Sequence, residues 1–214
     1  TQTAGSEKQM ARLFYMVGKS STGKDTIYRE VLGQPDLELN PLVMYTTRPI
    51  REGETDGKEY HFADEEILKN LEREGRVIEK RAYHTIHGIW TYFTVDNEHV
   101  DLNGKDYLAI GTLESYAQIR SYYGEERVVP IYIEVEDGIR LERALEREKR
   151  QPVPKYEELC RRFLADQEDY AEEKLAEAGI DRRFSNDKDI MSCVEEVVAF
   201  IRAEQKNKQS LFTE

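Results

Sequence analysis

The chain has 214 residues, 39% hydrophobic and 35% charged, enough for a sizeable core in one or two domains under a large solvated surface. Acidic residues outnumber basic ones 43 to 31, and the formal charge of −12 argues against duplex DNA or an anionic membrane as the main partner. A small phosphorylated ligand stays open, because a local arginine cluster can bind phosphate inside an acidic protein.

The polar start, TQTAGSEKQ (1–9), reads as a flexible tail. ARLFYMVG (11–18) reads as a strand ending at a glycine, and 24–32 as a helix with Ile27, Val31 and Leu32 on one face. PLVMYTT and EYHF are extended, and DEEILKNLEREG is an amphipathic helix opened by Asp64 and stopped by Gly75. RVIEKRAYH and IWTYFTV pair as strands. DYLAIG is a short buried strand, followed by a helix over 112–123 and the strand VVPIYIEV (128–135). DGIRLERALEREK is a charged helix, YEELCRRFLADQEDYAEEKLAEAG one long helix, RRFSND a last short strand and 189–204 a final helix. The end of the chain, 206–214, is expected to fray.

Strands alternating with helices predict an α/β fold, a parallel sheet flanked by helices. The short strands between 42 and 94 break the alternation and predict a small, mainly β insertion. The longest apolar stretch, 128–135, is far too short to span a bilayer, and no signal peptide is evident. Cys160 and Cys193 lack CxxC spacing and read as free thiols. These features lead to an expectation of a cytoplasmic protein with neither membrane nor nucleic acid as partner.

GKSSTGKDT (18–26) lies at the first strand-to-helix turn, where open α/β sheets bind ligands. Gly18, Ser20, Ser21, Thr22 and Gly23 can curl backbone N–H groups around a phosphate, and Lys24 supplies a point charge for the outer phosphates. The plainer alternative, a glycine turn with an exposed lysine, fits this strand–loop–helix context less well. Asp25 stands where G-x-x-x-x-G-K-[ST] has a hydroxyl. It reads either as a magnesium ligand or as a favourable charge at a helix start, with the Thr26 hydroxyl one place later.

YTTRPIREGETDGKEYHF (45–62) sets Arg48 and Arg51 three apart, ahead of Tyr60. Two guanidinium groups and a phenol can hold one phosphate dianion. This stretch resembles the guanylate kinase pattern S-x-T-T-R-x-x-R-x-G-E-x-x-G-x-x-Y-x-F from TTR onward. RALER (143–147), Arg162 in CRRF and FSND (184–187) are similar to the family's lid arginines and its V-N-D segment.

The resemblance implies a P-loop kinase with ATP on Gly18 to Thr26 and Asn186 near the adenine. It implies magnesium carried with ATP, and an acceptor, GMP in the first instance, held by Arg48, Arg51, Tyr60, Glu79 and His87. It also implies a helical lid whose Arg143, Arg147 and Arg162 join Lys24 and Arg48 around the moving phosphoryl. The implied divisions are a core of 10–41, 100–140 and 180–205, an acceptor region of 42–99 and a lid region of 141–179. Nothing in the sequence fixes an oligomeric state.

The departures lie at the acceptor base. Met44 replaces a guanine-contacting serine, Gly111 a guanine-reading aspartate, and His87 a phosphate-contacting tyrosine. Thr112, Glu114, His84 or Tyr92 could compensate. Two other readings stay open. Ribose 1,5-bisphosphate phosphokinases resemble the chain in their G-K-D loop and phosphorylate a sugar phosphate. Non-catalytic guanylate kinase-like modules bind phosphopeptides.

Overall fold

The computed structural model describes residues 11–85, 87–96, 102 and 104–210, with the side chains of 208–210 left aside. The expected tail at 1–9 and the end of the chain beyond 210 lie outside the described residues. The chain runs from strand β1 (Leu13–Val17) through helix α1 (Lys24–Leu32) and a 3-10 turn (Pro35–Leu37) to β2 (Asn40–Pro41). Next come β3 (Tyr45–Thr46), β4 (His61–Phe62), α2 (Glu65–Arg73), β5 (Val77–Thr85) and β6 (Gly88–Val95). Then follow β7 (Tyr107–Ile110), α3 (Leu113–Tyr123), β8 (Val128–Glu134), α4 (Asp137–Lys149) and α5 (Tyr156–Asp169). The last elements are α6 (Glu172–Glu177), β9 (Arg183–Ser185) and α7 (Ile190–Ser210).

Five strands form a parallel sheet in the order β2-β7-β1-β8-β9. β1 sits at its centre and all five of its residues are buried, as a strand covered on both faces requires. Side chains alternate across it. Leu13, Tyr15 and Val17 join Tyr107, Val128 and Tyr132 in a core completed by Tyr116 of α3 and Leu175 of α6. Phe14 and Met16 face the other way and join Ile131, Ile133 and Phe184 under α1 and α7. Fully burying one such Leu, Ile or Phe contributes about 1.5–3 kcal/mol, so these two layers supply the main hold on the fold.

The smaller sheet is mixed, in the order β4-β3-β6-β5. Phe93 and Val95 bury one face with Leu68 of α2. Asp64 caps α2 by accepting a hydrogen bond from the Ile67 N–H at 2.8 Å, and Gly75, at φ +68°, takes the chain out of the helix. The opposite face carries a row across the four strands, Arg81, Tyr92, Thr46 and Phe62.

Three expectations change. PLVMYTT divides between the two sheets, with Asn40–Pro41 on β7 and Tyr45–Thr46 on β6. The final helix continues to Ser210. The long helix from Tyr156 breaks after Asp169, where Tyr170 leaves helical geometry and Ala171 is extended. The break buries Tyr170 in a stack on Tyr132, with ring centroids 5.9 Å apart, and turns Leu175 into the core.

Candidate functional site

The loop after β1 is shaped by close approaches. A Cβ on Gly18 would lie 2.7 Å from the Ile133 carbonyl oxygen of the neighbouring strand β8. Gly23 has φ +81°, and a Cβ there would meet the Asn186 side-chain amide at 2.7 Å. Ser21 is also left-handed, at φ +64°. Buried Thr22 donates its hydroxyl to the Lys19 carbonyl at 2.9 Å, closing the curl. Helix α1 then begins with no side-chain cap, the Thr26 and Ile27 N–H groups donating to the Gly23 carbonyl at 3.0 and 3.1 Å, so its positive end stands at the loop.

A ring of side chains fixes this loop from outside. The Ser20 N–H donates to Asp166 Oδ2 at 2.9 Å, and the Ser20 hydroxyl bonds the same oxygen. Arg140, 1% exposed, donates to Asp166 at 2.9 Å and to Asp137 at 3.0 Å, and lies over the Phe163 ring. Lys19 reaches Asp137 at 3.3 Å and Gln167 at 2.5 Å. Burial acts to raise the Asp137 carboxyl, but bonds from Gln167 and Arg140 and the charge of Lys19 outweigh it and hold the group below its ordinary value. Sequence reasoning missed this clamp. Its members lie more than a hundred residues from the loop, and within α4 and α5 they look like ordinary charged helix faces.

Asn186 stands behind the loop and donates its amide to the Thr22 carbonyl at 2.8 Å, while its Oδ1 is buried without a partner among the described residues. Arg143 donates to the Asn186 carbonyl at 2.9 Å, and Arg147 donates to Ser21 Oγ at 3.1 Å. With Gly23, Lys188 and Ile190 they line a cleft of about 420 Å³. Arg162 lies apart, on the half-exposed side of α5 beside Glu158 at 3.6 Å, and lines neither this cleft nor the larger one.

Asp25 points outward with its side chain 82% exposed, 3.8 Å from Lys24 Nζ. Among the described residues, no cluster of three His, Cys, Asp or Glu side chains is arranged to hold a metal. The hard oxygens of Asp25 and Thr26 suit magnesium, which binds through one or two protein oxygens while phosphates and water complete its shell. They fit an ion that arrives with a nucleotide.

A larger cleft, about 1040 Å³, opens on the other side of the loop. Gly18, Ser20 and Lys24 line one wall, Arg81, Ala82 and Tyr83 of β5 another, and Gly111, Thr112 and Glu114 the floor. Arg48 is 3% exposed and forks onto Glu54 with bonds of 2.8 and 3.0 Å. That bond and nearby Tyr92 raise the Arg48 guanidinium above its ordinary value, and its Nε is buried without a partner among the described residues. Arg48 sits 5.5 Å from the Tyr60 ring centroid, so these two lie side by side. Arg51 is exposed, and only its backbone N–H shares Glu54, at 2.8 Å. His87 stacks on Trp90 at the exposed end of the β5–β6 hairpin, away from the cleft.

Glu79 is fully buried, with one oxygen accepting from the Thr94 hydroxyl at 2.7 Å and the other from Arg81 Nε at 3.2 Å. Arg81 therefore stands between Glu79 and the cleft. Strand alternation, which places Glu79 and Arg81 on one face, is the sequence signal that could have found it.

A left-handed glycine loop between the central strand of a parallel sheet and a helix headed by lysine defines a P-loop α/β protein. The sequence model described as "Guanylate kinase" matches residues 10–172, and the chain belongs to the guanylate kinase family. Curated relatives include guanylate kinases of Zymomonas mobilis, 42% identical over 67 residues, and Chlorobium luteolum, 40% identical over 77 residues. A third, from Streptococcus agalactiae, is 38% identical over 71 residues. These alignments cover 31–36% of this chain and 31–38% of the relatives, so the chain spans about a third of the length of the curated relatives it matches. A solved guanylate kinase from Anaplasma phagocytophilum superposes with a TM-score of 0.61 at 22% identity, over 92% of this chain and 88% of that one, a likeness of fold.

Proposed function

We propose that the protein transfers the γ-phosphoryl group of ATP to a nucleoside monophosphate, with GMP as the first acceptor to try. One observation carries this reading: Lys24 at the head of the P-loop and Arg81 on the small sheet line the same cleft. That cleft offers a path from a donor's outer phosphate to an acceptor. The donor phosphates would lie on the N–H groups of Ser21 to Asp25, and Arg143 and Arg147 would bring positive charge from α4. Arg48, with its unpartnered Nε, and Tyr60 would hold the acceptor phosphate. Arg51 would join them from the surface and Arg162 from α5.

The residues work by alignment and charge neutralisation, and no covalent nucleophile is needed. Magnesium bound with ATP would supply further neutralisation, held by Asp25 and Thr26. Residues 10–41, 100–140 and 180–205 would form the core, 42–99 the acceptor region and 141–179 the lid. The built and braced loop favours a kinase over a phosphopeptide-binding module, because a scaffold has no use for an ATP site.

A coupled assay of ATP consumption across GMP, dGMP, other monophosphates and ribose 1,5-bisphosphate tests this reading. Turnover of at least one nucleoside monophosphate is expected, and Lys24→Ala should reduce it by about 100-fold or more. Turnover of the sugar alone would replace the nucleotide by a sugar phosphate. Phosphopeptide binding with no turnover would remove the kinase.

A further inference from the structure

The two positions where the resemblance places acceptors for a guanine Watson–Crick edge, Glu79 and Gly111, present no free carboxylate oxygen to the cleft. Guanine's 2-amino group is a hydrogen-bond donor and needs carboxylate or carbonyl oxygens opposite it. Glu79 is fully buried, with its oxygens held by Thr94 and Arg81. Gly111 cannot be a disguised carboxylate position. A Cβ there would lie 2.3 Å from the Tyr15 hydroxyl oxygen and 2.8 Å from Ser115 Oγ, and those two atoms already bond each other at 2.7 Å.

What the cleft presents there is a donor fork. Arg81 spends its Nε on Glu79, while among the described residues Nη1 has a long contact, 3.4 Å to Thr112 Oγ1, and Nη2 a weak acceptor, Met44 Sδ at 3.5 Å. Its row on the small sheet continues through Tyr92 to Thr46, two residues before Arg48. Arg81 and the Arg48–Tyr60 pair thus lie about two strand spacings apart, roughly 10 Å, with Tyr92 between them and its ring 5.5 Å from that of Tyr60. The local charge gives no net pull on a second phosphate: Glu79 neutralises Arg81, and Lys24, Lys80 and Lys174 line the cleft against Glu114, Asp166, Asp169 and Glu177.

Resting on the nucleoside monophosphate kinase reading, we infer that Arg81 reads the acceptor base, and that the acceptor is a 6-oxopurine nucleotide recognised through O6 and N7 without regard to the 2-position. A guanidinium fork matches the adjacent O6 and N7 acceptors of such a base. Adenine sets an amino donor against it, and uracil has no N7. A site that makes no bond to the 2-amino group cannot tell inosine from guanosine monophosphate.

The test is kcat/KM for GMP, IMP, AMP and UMP, with ribose 1,5-bisphosphate alongside, for the wild type and Arg81→Lys. Lysine keeps a cation beside Glu79 but loses the fork, and thermal unfolding checks that the variant folds. Expected are IMP and GMP within about threefold of each other. Arg81→Lys should then lower both by about 10- to 100-fold and lower AMP and UMP far less. GMP preferred over IMP by about a thousandfold would overturn the inference, as would an equal loss for every acceptor, which would put Arg81 at the phosphate. Turnover of the sugar bisphosphate and no nucleotide removes the nucleotide kinase reading itself, and the base reader with it. Nucleotide turnover with the wrong preference sinks the base reader alone.

Discussion

Gly111 shows how a single position redirects a site. Its space is filled by the hydroxyl of Tyr15, a buried phenol whose pKa burial pushes up to about 12 and which stays a neutral partner of Ser115. Gly111→Asp should not restore a guanine-reading carboxylate. It should overpack the floor of the cleft and cost about 1–3 kcal/mol, visible as a Tm lower by several degrees. Adding Tyr15→Phe removes the nearest clashing atom and should recover part of that loss. A Gly111→Asp protein as stable as wild type would contradict the crowding seen around Tyr15. Asn186 offers a second check at this scale. Asn186→Ala removes the brace on the Thr22 carbonyl, and should weaken ATP binding more than it weakens acceptor binding in titrations of each ligand.

Among the elements, the loop and its helix were the most legible, because their demands are local. Gly18 and Gly23 are needed where a Cβ would strike Ile133 or Asn186, and Lys24 follows directly. The break at Tyr170 was not legible, since DQEDYAEEK contains no glycine or proline to mark it. It exists because burying Tyr170 and Leu175 outweighs the lost helical bonds. The arginines of RALER were readable as a pair, and Arg147 meets the loop at Ser21 while Arg143 meets Asn186 behind it, but helical spacing alone could not say that Arg162 faces away from them.

Helices α4 and α5 are tied to the loop through Asp137, whose folded-state carboxyl is held below its ordinary value of 3.8. A depressed carboxyl contributes stability above its unfolded pKa and loses it as pH falls through the folded one. Asp137→Asn should therefore lower Tm at pH 7 and lose that effect as pH falls below 3.8 and through the lower folded-state pKa. A gap between the two proteins that does not change with pH would contradict the role of the Lys19–Asp137–Arg140 contacts.

At the scale of the whole molecule, a rigid parallel sheet carries the loop and a small mixed sheet carries the opposite wall of the cleft. The alternation of strands and helices made the first sheet readable, and the TTR-to-Phe62 motif marked the second. Strand alternation put Glu79 and Arg81 on one face, but the contacts that fix them, Glu79 to Thr94 across the hairpin and Arg81 to Thr112 at the larger sheet's edge of the cleft, depend on tertiary packing and were not legible. Among the described residues, no helix is long and apolar enough to cross a membrane. A ligand that binds only the folded chain stabilises it by about 2.7 kcal/mol at a hundred times its Kd. Saturating ATP with magnesium should thus raise Tm by several degrees in the wild type and by little in Lys24→Ala, as differential scanning fluorimetry would show.

The most direct test follows the label from γ-phosphate-labelled ATP in the presence of GMP and IMP. The predicted result is label in the nucleoside diphosphate, lost in Lys24→Ala. Label that stays in ATP, or that passes to a sugar phosphate and to no nucleotide, would contradict the reading of this chain as a nucleoside monophosphate kinase.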